Sequence, residues 1–244
     1  MDIQIIADRV KMGAAAAQQG AVALRRAIEK NGAATIILAT GASQFDMITA
    51  LIDEPDIDWS KVECFHLDEY IGLPIAHAAS FRRYLKERFV DNVPAVKAFH
   101  YIDGEGDANA EALRLDRLIK NTVVDVAFIG IGENGHLAFN DPPADFDTEK
   151  PFLIVTLDEA CRRQQFGEGW FPTLDDVPAQ AISMSIKQIM AAKTLISTIP
   201  GAVKAEAVRN TVESEISNMA PATILRNHDA CTLFLDEESS RLLK

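Results

Sequence analysis

The sequence predicts an α/β protein: a Rossmann-like three-layer sandwich whose mainly parallel sheet is flanked by helices on both faces. Three observations point there. Short apolar runs of strand character alternate with segments at helical spacing along the 244 residues. Several of those runs end directly in turn-forming loops, at 40–44, 68–74 and 130–142. Nothing between them reads as a linker, so one domain spanning 1–244 is expected. In such sheets ligands settle beyond the carboxyl ends of the strands, near the point where strand order reverses. The three loops are therefore expected at one edge.

Residues 7–30 mix alanines with charged groups and stop at Asn31-Gly32, a helix with its C-terminal signal. Residues 34–40 form an apolar strand, broken by Gly41-Ala42-Ser43 before helical spacing returns over 45–51. The unit recurs: strand 62–67 ends in Asp68-Glu69-Tyr70, Gly72-Leu73-Pro74 follows, and a helix runs from about 80 to 90. Residues 98–101 read as strand and 108–120 as an amphipathic helix. The central strand, 123–131, runs into glycines 130, 132 and 135. Residues 152–157 are β-like. From 158 to 181 the chain is polar and irregular, with Gly167, Gly169, Pro172 and Pro178, and a loop of that length suggests a mobile lid. A helix at 185–192, a strand at 194–199, the Pro200-Gly201 turn and a helix at 202–212 come next. A helical turn at 221–225, a last strand at 231–235 and a terminal helix at 237–243 complete the chain.

A net charge of −12, with no cluster of Lys and Arg, argues against a nucleic-acid surface. The start, Met-Asp-Ile-Gln-Ile-Ile-Ala-Asp, lacks a basic and apolar signal, and no window approaches the ~18 apolar residues of a membrane span. A cytoplasmic location and no membrane partner are expected. Cys64, Cys161 and Cys231 show no metal spacing and read as core fillers in a reducing compartment.

Asp68-Glu69 stands at a strand end between Phe65 and Tyr70. A carboxylate at the rim of an apolar crevice loses hydration, which raises its pKa and suits it to act as a base near neutral pH. A helix cap or a salt bridge at a turn is the alternative. His136 follows Gly-x-Gly-x-x-Gly and precedes Asn140-Asp141, either of which lies close enough in sequence to fix its tautomer. A histidine satisfied by local backbone is the competing reading. Thr40-Gly41-Ala42-Ser43, between strand and helix, offers amides and hydroxyls to an anion. Lys204, with Arg162 or Arg163, would complete a phosphate site. Gly130 and Gly132 keep the backbone open to a ligand. A dinucleotide reading of that glycine motif fails because Pro142 stops any helix from following the loop.

The motifs Thr40-Gly41-Ala42-Ser43, Leu67-Asp68-Glu69-Tyr70-Ile71-Gly72-Leu73-Pro74, the stretch from Gly130 to Pro142, Gly201-Ala202-Val203-Lys204-Ala205-Glu206-Ala207 and Pro221-Ala222-Thr223-Ile224-Leu225 resemble, in order, those of the glucosamine-6-phosphate deaminase (isomerase) family. The resemblance covers essentially the whole chain. It implies conversion of glucosamine 6-phosphate and water to fructose 6-phosphate and ammonia, with no cofactor and no metal. By resemblance Asp68 is the base, His136 opens the pyranose ring, and Asp141 orients His136. Loop 41–43, Lys204 and an arginine, Arg162 in the first instance, hold the phosphate, and Glu69 stands among the substrate-binding residues. Two positions depart from many relatives: Asn134 replaces an aspartate and Asp141 a glutamate. Asn134 still hydrogen-bonds but adds no charge to raise the histidine's pKa, so ring opening is expected to be tuned differently, or the amino sugar to differ. Residues 152–155 are apolar where allosterically activated relatives carry an arginine and a lysine, so no activation by an N-acetylated sugar phosphate is expected.

Galactosamine 6-phosphate is an alternative substrate. A phosphogluconolactonase-like hydrolase of the same fold would share the glycine-histidine loop, but Phe139-Asn140-Asp141-Pro142 and Asp68-Glu69-Tyr70 favour the isomerase. A non-catalytic sugar-phosphate sensor would need an attached DNA-binding module, for which the few residues before the first helix leave no room. Homo-oligomerisation is left open.

Overall fold

The computed structural model describes all 244 residues. Its elements are β1 (Asp2–Ile5), α1 (Arg9–Asn31), β2 (Ala34–Leu38), α2 (Phe45–Ile52), β3 (Val62–His66), β4 (Asp68–Tyr70), α3 (Phe81–Arg88), β5 (Ala98–His100), α4 (Ala108–Ile119) and β6 (Val126–Ile129). Then come β7 (Phe152–Thr156), α5 (Glu159–Gly167), β8 (Gln180–Met184), α6 (Ile186–Met190), β9 (Leu195–Ile199), α7 (Ala205–Glu213), β10 (Cys231–Leu235) and α8 (Glu237–Ser240). Seven strands form one wholly parallel sheet in the order β1-β10-β9-β6-β2-β3-β5. From β2 the chain builds outward through β3 and β5, then returns to place β6 on the other side of β2. Strand order reverses between β2 and β6, so the loops after those two strands, 40–44 and 130–136, flank the switch point.

Helices cover both faces, as expected. On one face α1, α2 and α3 bury Leu24, Met47 and Leu85 against Ile36, Leu38 and Phe128. On the other, Leu115 of α4, Ile189 of α6 and Val208 of α7 pack on Ile37, Ala127 and Leu233. The alanines of α1 let the helix lie close to the sheet, and its Gly20 is a steric necessity: a Cβ there would sit 2.2 Å from the Phe128 ring. Asp8 caps α1 by accepting from the Lys11 N–H, and Gly32 ends it at φ 78°.

Three features differ from the sequence-based expectation. Residues 2–5 form an edge strand, β1, whose side chains are all exposed; a solvated strand carries no burial pattern to read. The strand 62–67 does not simply end in Asp68-Glu69-Tyr70. The chain bends at Leu67, and β4 joins a second, antiparallel sheet in the order β4-β8-β7. Finally, 158–181 is not irregular throughout. Asp158 caps α5 by accepting from the Cys161 N–H, and the segment ends in β8, buried between β4 and β7. No helix is long and apolar enough to cross a membrane.

Candidate active site

Three loops at the carboxyl edge of the large sheet, with β4 and α5, line a cavity of about 310 Å³. Thr40, Gly41, Ala42, Ser43 and Gln44 come from the loop after β2, Gly130 to Glu133 and His136 from the loop after β6, and Gly201 and Lys204 from the loop after β9. Asp68 enters from β4, and Gln164, Gln165 and Glu168 from α5 and its end. Asp68 and His136 thus face one space.

β8 holds that juxtaposition together. In the second sheet Asp68 lies opposite Ser183. The Ser183 hydroxyl accepts from the Phe139 N–H at 3.0 Å, and the Asn140 amide donates to the carbonyls of Leu137 and Met184, both at 2.8 Å. One strand therefore ties the Asp68 strand to the His136 loop. Asn140 secures the loop and does not touch the imidazole. The ring is oriented by Asp141, whose Oδ1 lies 3.0 Å from His136 Nδ1 and also accepts from the Asn134 amide at 3.0 Å. The other oxygen of Asp141 accepts from the Asp158 N–H at 3.2 Å. Burial works to raise the Asp141 carboxyl, but the bonds from His136 and Asn134 outweigh it and hold the group below the ordinary aspartate value. Asp141 is thus ionised at neutral pH. With Nδ1 occupied, Nε2 lies over Gly132, where a Cβ would sit 2.3 Å from it. That glycine makes room for the imidazole of its own loop. No helix follows the loop, in keeping with the exclusion of a dinucleotide site.

Asp68 is 7% exposed and accepts no protein hydrogen bond on its carboxylate, with Leu67, Phe81 and Phe139 lining the cavity beside it. Burial, with a smaller contribution from the charge of Glu69, pushes its pKa well above the ordinary aspartate value. Glu69 itself is not a cavity residue, which corrects the expectation that it binds substrate. Alternation along β4 turns it to the opposite side. There, fully buried, it accepts from the Ser80 hydroxyl and the N–H groups of Phe81 and Arg82, and pairs with the Arg82 guanidinium, anchoring the start of α3.

The arginine expectation is also corrected. Arg162 donates to the carbonyls of Leu174 and Val177, bracing the loop before β8, and Arg163 pairs with Glu159 one turn away on the helix surface. Neither lines the cavity. The cations that do are Lys204 and Arg9. Arg9, at the first turn of α1, bonds Asp46 and the Ala42 carbonyl, so it buttresses loop 41–43 as it faces the cavity. Lys204 is buried with no ion pair of its own. Burial lowers its pKa, opposed by the charges of Glu133 and Glu168. The loops bearing Gly41 and Gly201 are alike: each glycine has φ 94° and opens a single 3-10 turn leading into a helix. Gln44, fully buried, joins them by accepting from the Thr198 hydroxyl while its amide reaches the Ile129 and Thr198 carbonyls.

A nitrogen of His136, an oxygen of Asp141 and the sulfur of Cys161 lie within 4.8 Å of one another, the grouping that could take a metal ion. The His136–Asp141 hydrogen bond already engages two of the three.

Residues 7–234 match the model of a family described as glucosamine-6-phosphate isomerases/6-phosphogluconolactonase. The chain belongs to this family. A glucosamine-6-phosphate deaminase of Streptococcus pneumoniae (strain Hungary19A-6) is 36% identical over 229 residues, 93% of this chain and 95% of the relative. Among solved structures, a monomeric glucosamine-6-phosphate deaminase of the NagB superfamily superposes with a TM-score of 0.90 at 29% identity, covering 99% of this chain and 100% of that one. The 6-phosphogluconolactonase of Trypanosoma brucei, at 18% identity and a TM-score of 0.79 over 100% of this chain and 98% of its own, shares the fold. Loops 40–43 and 130–136, the second carrying Glu133, lie in motifs that stand out in the sequence, whereas Arg9, Gln164, Gln165 and Glu168 line the cavity with no local signal to announce them. Arg9 comes from the opposite end of the α1 unit, and only the topology brings it beside Ala42.

Proposed function

We propose that this protein deaminates an amino sugar phosphate, converting glucosamine 6-phosphate and water to fructose 6-phosphate and ammonia. The observation that carries the reading is a desolvated carboxylate, Asp68, and an aspartate-held imidazole, His136, lining one cavity whose walls include two anion-ready loops and Lys204. The phosphate takes the N–H groups of loop 41–43 and the ammonium of Lys204, with Arg9 as the second cation. His136 passes a proton to the ring oxygen as the anomeric hydroxyl loses its own, opening the pyranose. Asp141 keeps Nδ1 protonated so that Nε2 performs the exchange. Asp68 then removes the C2 proton and delivers it to C1, leaving an imine at C2 that water hydrolyses with loss of ammonia. The sequence moves only protons and water.

The test is ammonia release from glucosamine 6-phosphate and galactosamine 6-phosphate, run beside acid release from 6-phosphogluconolactone. Ammonia from the first sugar, well above the second, is expected. Acid from the lactone with no ammonia from either sugar would overturn the reading. For the phosphate end, Lys204→Met should raise KM about 10- to 100-fold, the loss of one charge-assisted bond, with a smaller fall in kcat. Steady-state kinetics over a range of substrate concentrations measure both.

A further inference from the structure

Glu168 has no part in the chemistry above, and its position calls for one. It follows α5 directly, where its N–H donates to the Gln164 carbonyl at 3.1 Å and Gly169, at φ 83°, turns the chain away. Its side chain lines the cavity together with Lys204 and His136. A carboxylate is a poor neighbour for a phosphate. Lys204 and Arg9 share this space with three acidic side chains, Asp68, Glu133 and Glu168, more acids than a site for a phosphorylated sugar with no positive group calls for. Asp68 is committed to the proton shift and Glu133 is exposed to solvent. Glu168 is partly buried, makes no ion pair within 4 Å, and has the neutral amide of Gln164 beside it. Burial accordingly raises its pKa, a cost that a cation in contact would offset. The carbonyl end of α5 adds a negative dipole at the same place.

Resting on the amino sugar phosphate reading, we propose that Glu168 is the subsite for the substrate's C2 ammonium, so that this cavity selects an amine over a hydroxyl at C2. Phosphate and ammonium then bind as a pair: Lys204 and Arg9 take the dianion, and Glu168 takes the cation between Lys204 and the catalytic groups. The product, which has lost its amine, leaves Glu168 without a partner, and this favours its release.

Two alditols separate the claims because neither has a carbonyl to isomerise: 2-amino-2-deoxyglucitol 6-phosphate and glucitol 6-phosphate, which differ only in amine for hydroxyl at C2. Calorimetric titration of the wild-type protein near pH 7.5 should give at least a 10-fold tighter Kd for the amine, and Glu168→Gln should bring the two within about 2-fold. The Kd for glucitol 6-phosphate should stay constant or tighten in that variant. Glu168→Asp, which keeps the charge on a shorter arm, should keep part of the preference. Equal wild-type affinity for the two alditols overturns the proposal, as does an undiminished preference in Glu168→Gln, or a matched loss of both ligands in that variant. Failure of the wild-type protein to bind either alditol overturns the sugar phosphate reading itself, together with the subsite. Glucitol 6-phosphate thus reports on the reading, and the difference between ligands on Glu168.

Discussion

Replacing Asp68 by Asn should lower the rate of ammonia release by about 10⁴-fold, near the upper end of what a positioned base contributes, while the Kd of an unreactive alditol phosphate changes little. The substitution keeps the shape of the side chain, and the wild-type carboxylate accepts no protein hydrogen bond that the amide would break. Matched loss of binding and turnover would instead mark Asp68 as a structural group. The same residue should set the acid limb of the kcat/KM profile. Because burial and the charge of Glu69 raise its pKa, the limb should fall well above the ordinary aspartate value of 3.8. Activity needs the ionised form and is lost as pH drops through that raised value. Stability runs the other way. A raised pKa means that the folded state holds the proton more tightly than the unfolded chain, so stability falls as pH rises from 3.8 through the folded value. The amide carries no such cost. Asp68→Asn should therefore unfold at a higher temperature than wild type near neutral pH, with the gain shrinking toward zero as pH approaches about 4. Thermal unfolding of the two proteins across that range measures the difference.

Most of the parallel framework was legible because its signals are local. Strand runs, glycine stops and the Gly130-to-Asp141 loop each announce themselves within a dozen residues, and they sit at the switch point between β2 and β6. The pairing of His136 with Asp141 was legible for the same reason, five residues being a loop's reach. What failed was set by distant partners. The segment that runs into β8 looks polar and broken up to Pro178, and residues 180–184 pair as a strand between β4 and β7, partners that lie far away in sequence. Glu69 and Asp68 are adjacent acids with the same local context, and only the bend at Leu67 decides which one faces the cavity. Arg162 was expected at the phosphate but anchors loop 172–178, and Arg9, of which nothing was expected, reaches the cavity because α1 starts beside Ala42. Glu168 carries no motif at all.

Gly132→Ala should lower kcat about 100-fold with little change in KM, the cost of displacing a catalytic group by about 1 Å. The reasoning is steric. Gly132 does not sit in the left-handed region, so alanine meets no backbone strain there. Its Cβ would lie 2.3 Å from Nε2 of His136 and 2.4 Å from Cδ2 and Cε1, deep inside contact distance, so the imidazole must swing aside. Swinging it stretches the 3.0 Å bond to Asp141 and removes the fixed tautomer on which ring opening depends. The phosphate loops and Lys204 lie on other strand ends and are untouched, which is why KM should hold. Gly130→Ala supplies the comparison: its Cβ would meet only the amide nitrogen of Gln44, at 3.1 Å, and a shift of a few tenths of an ångström relieves that contact. The two alanines, two residues apart on one loop, should therefore differ by well over an order of magnitude in kcat. Equal, mild effects at both positions would mean that the imidazole is not held against the loop floor, and the assignment of ring opening to His136 would fall with it.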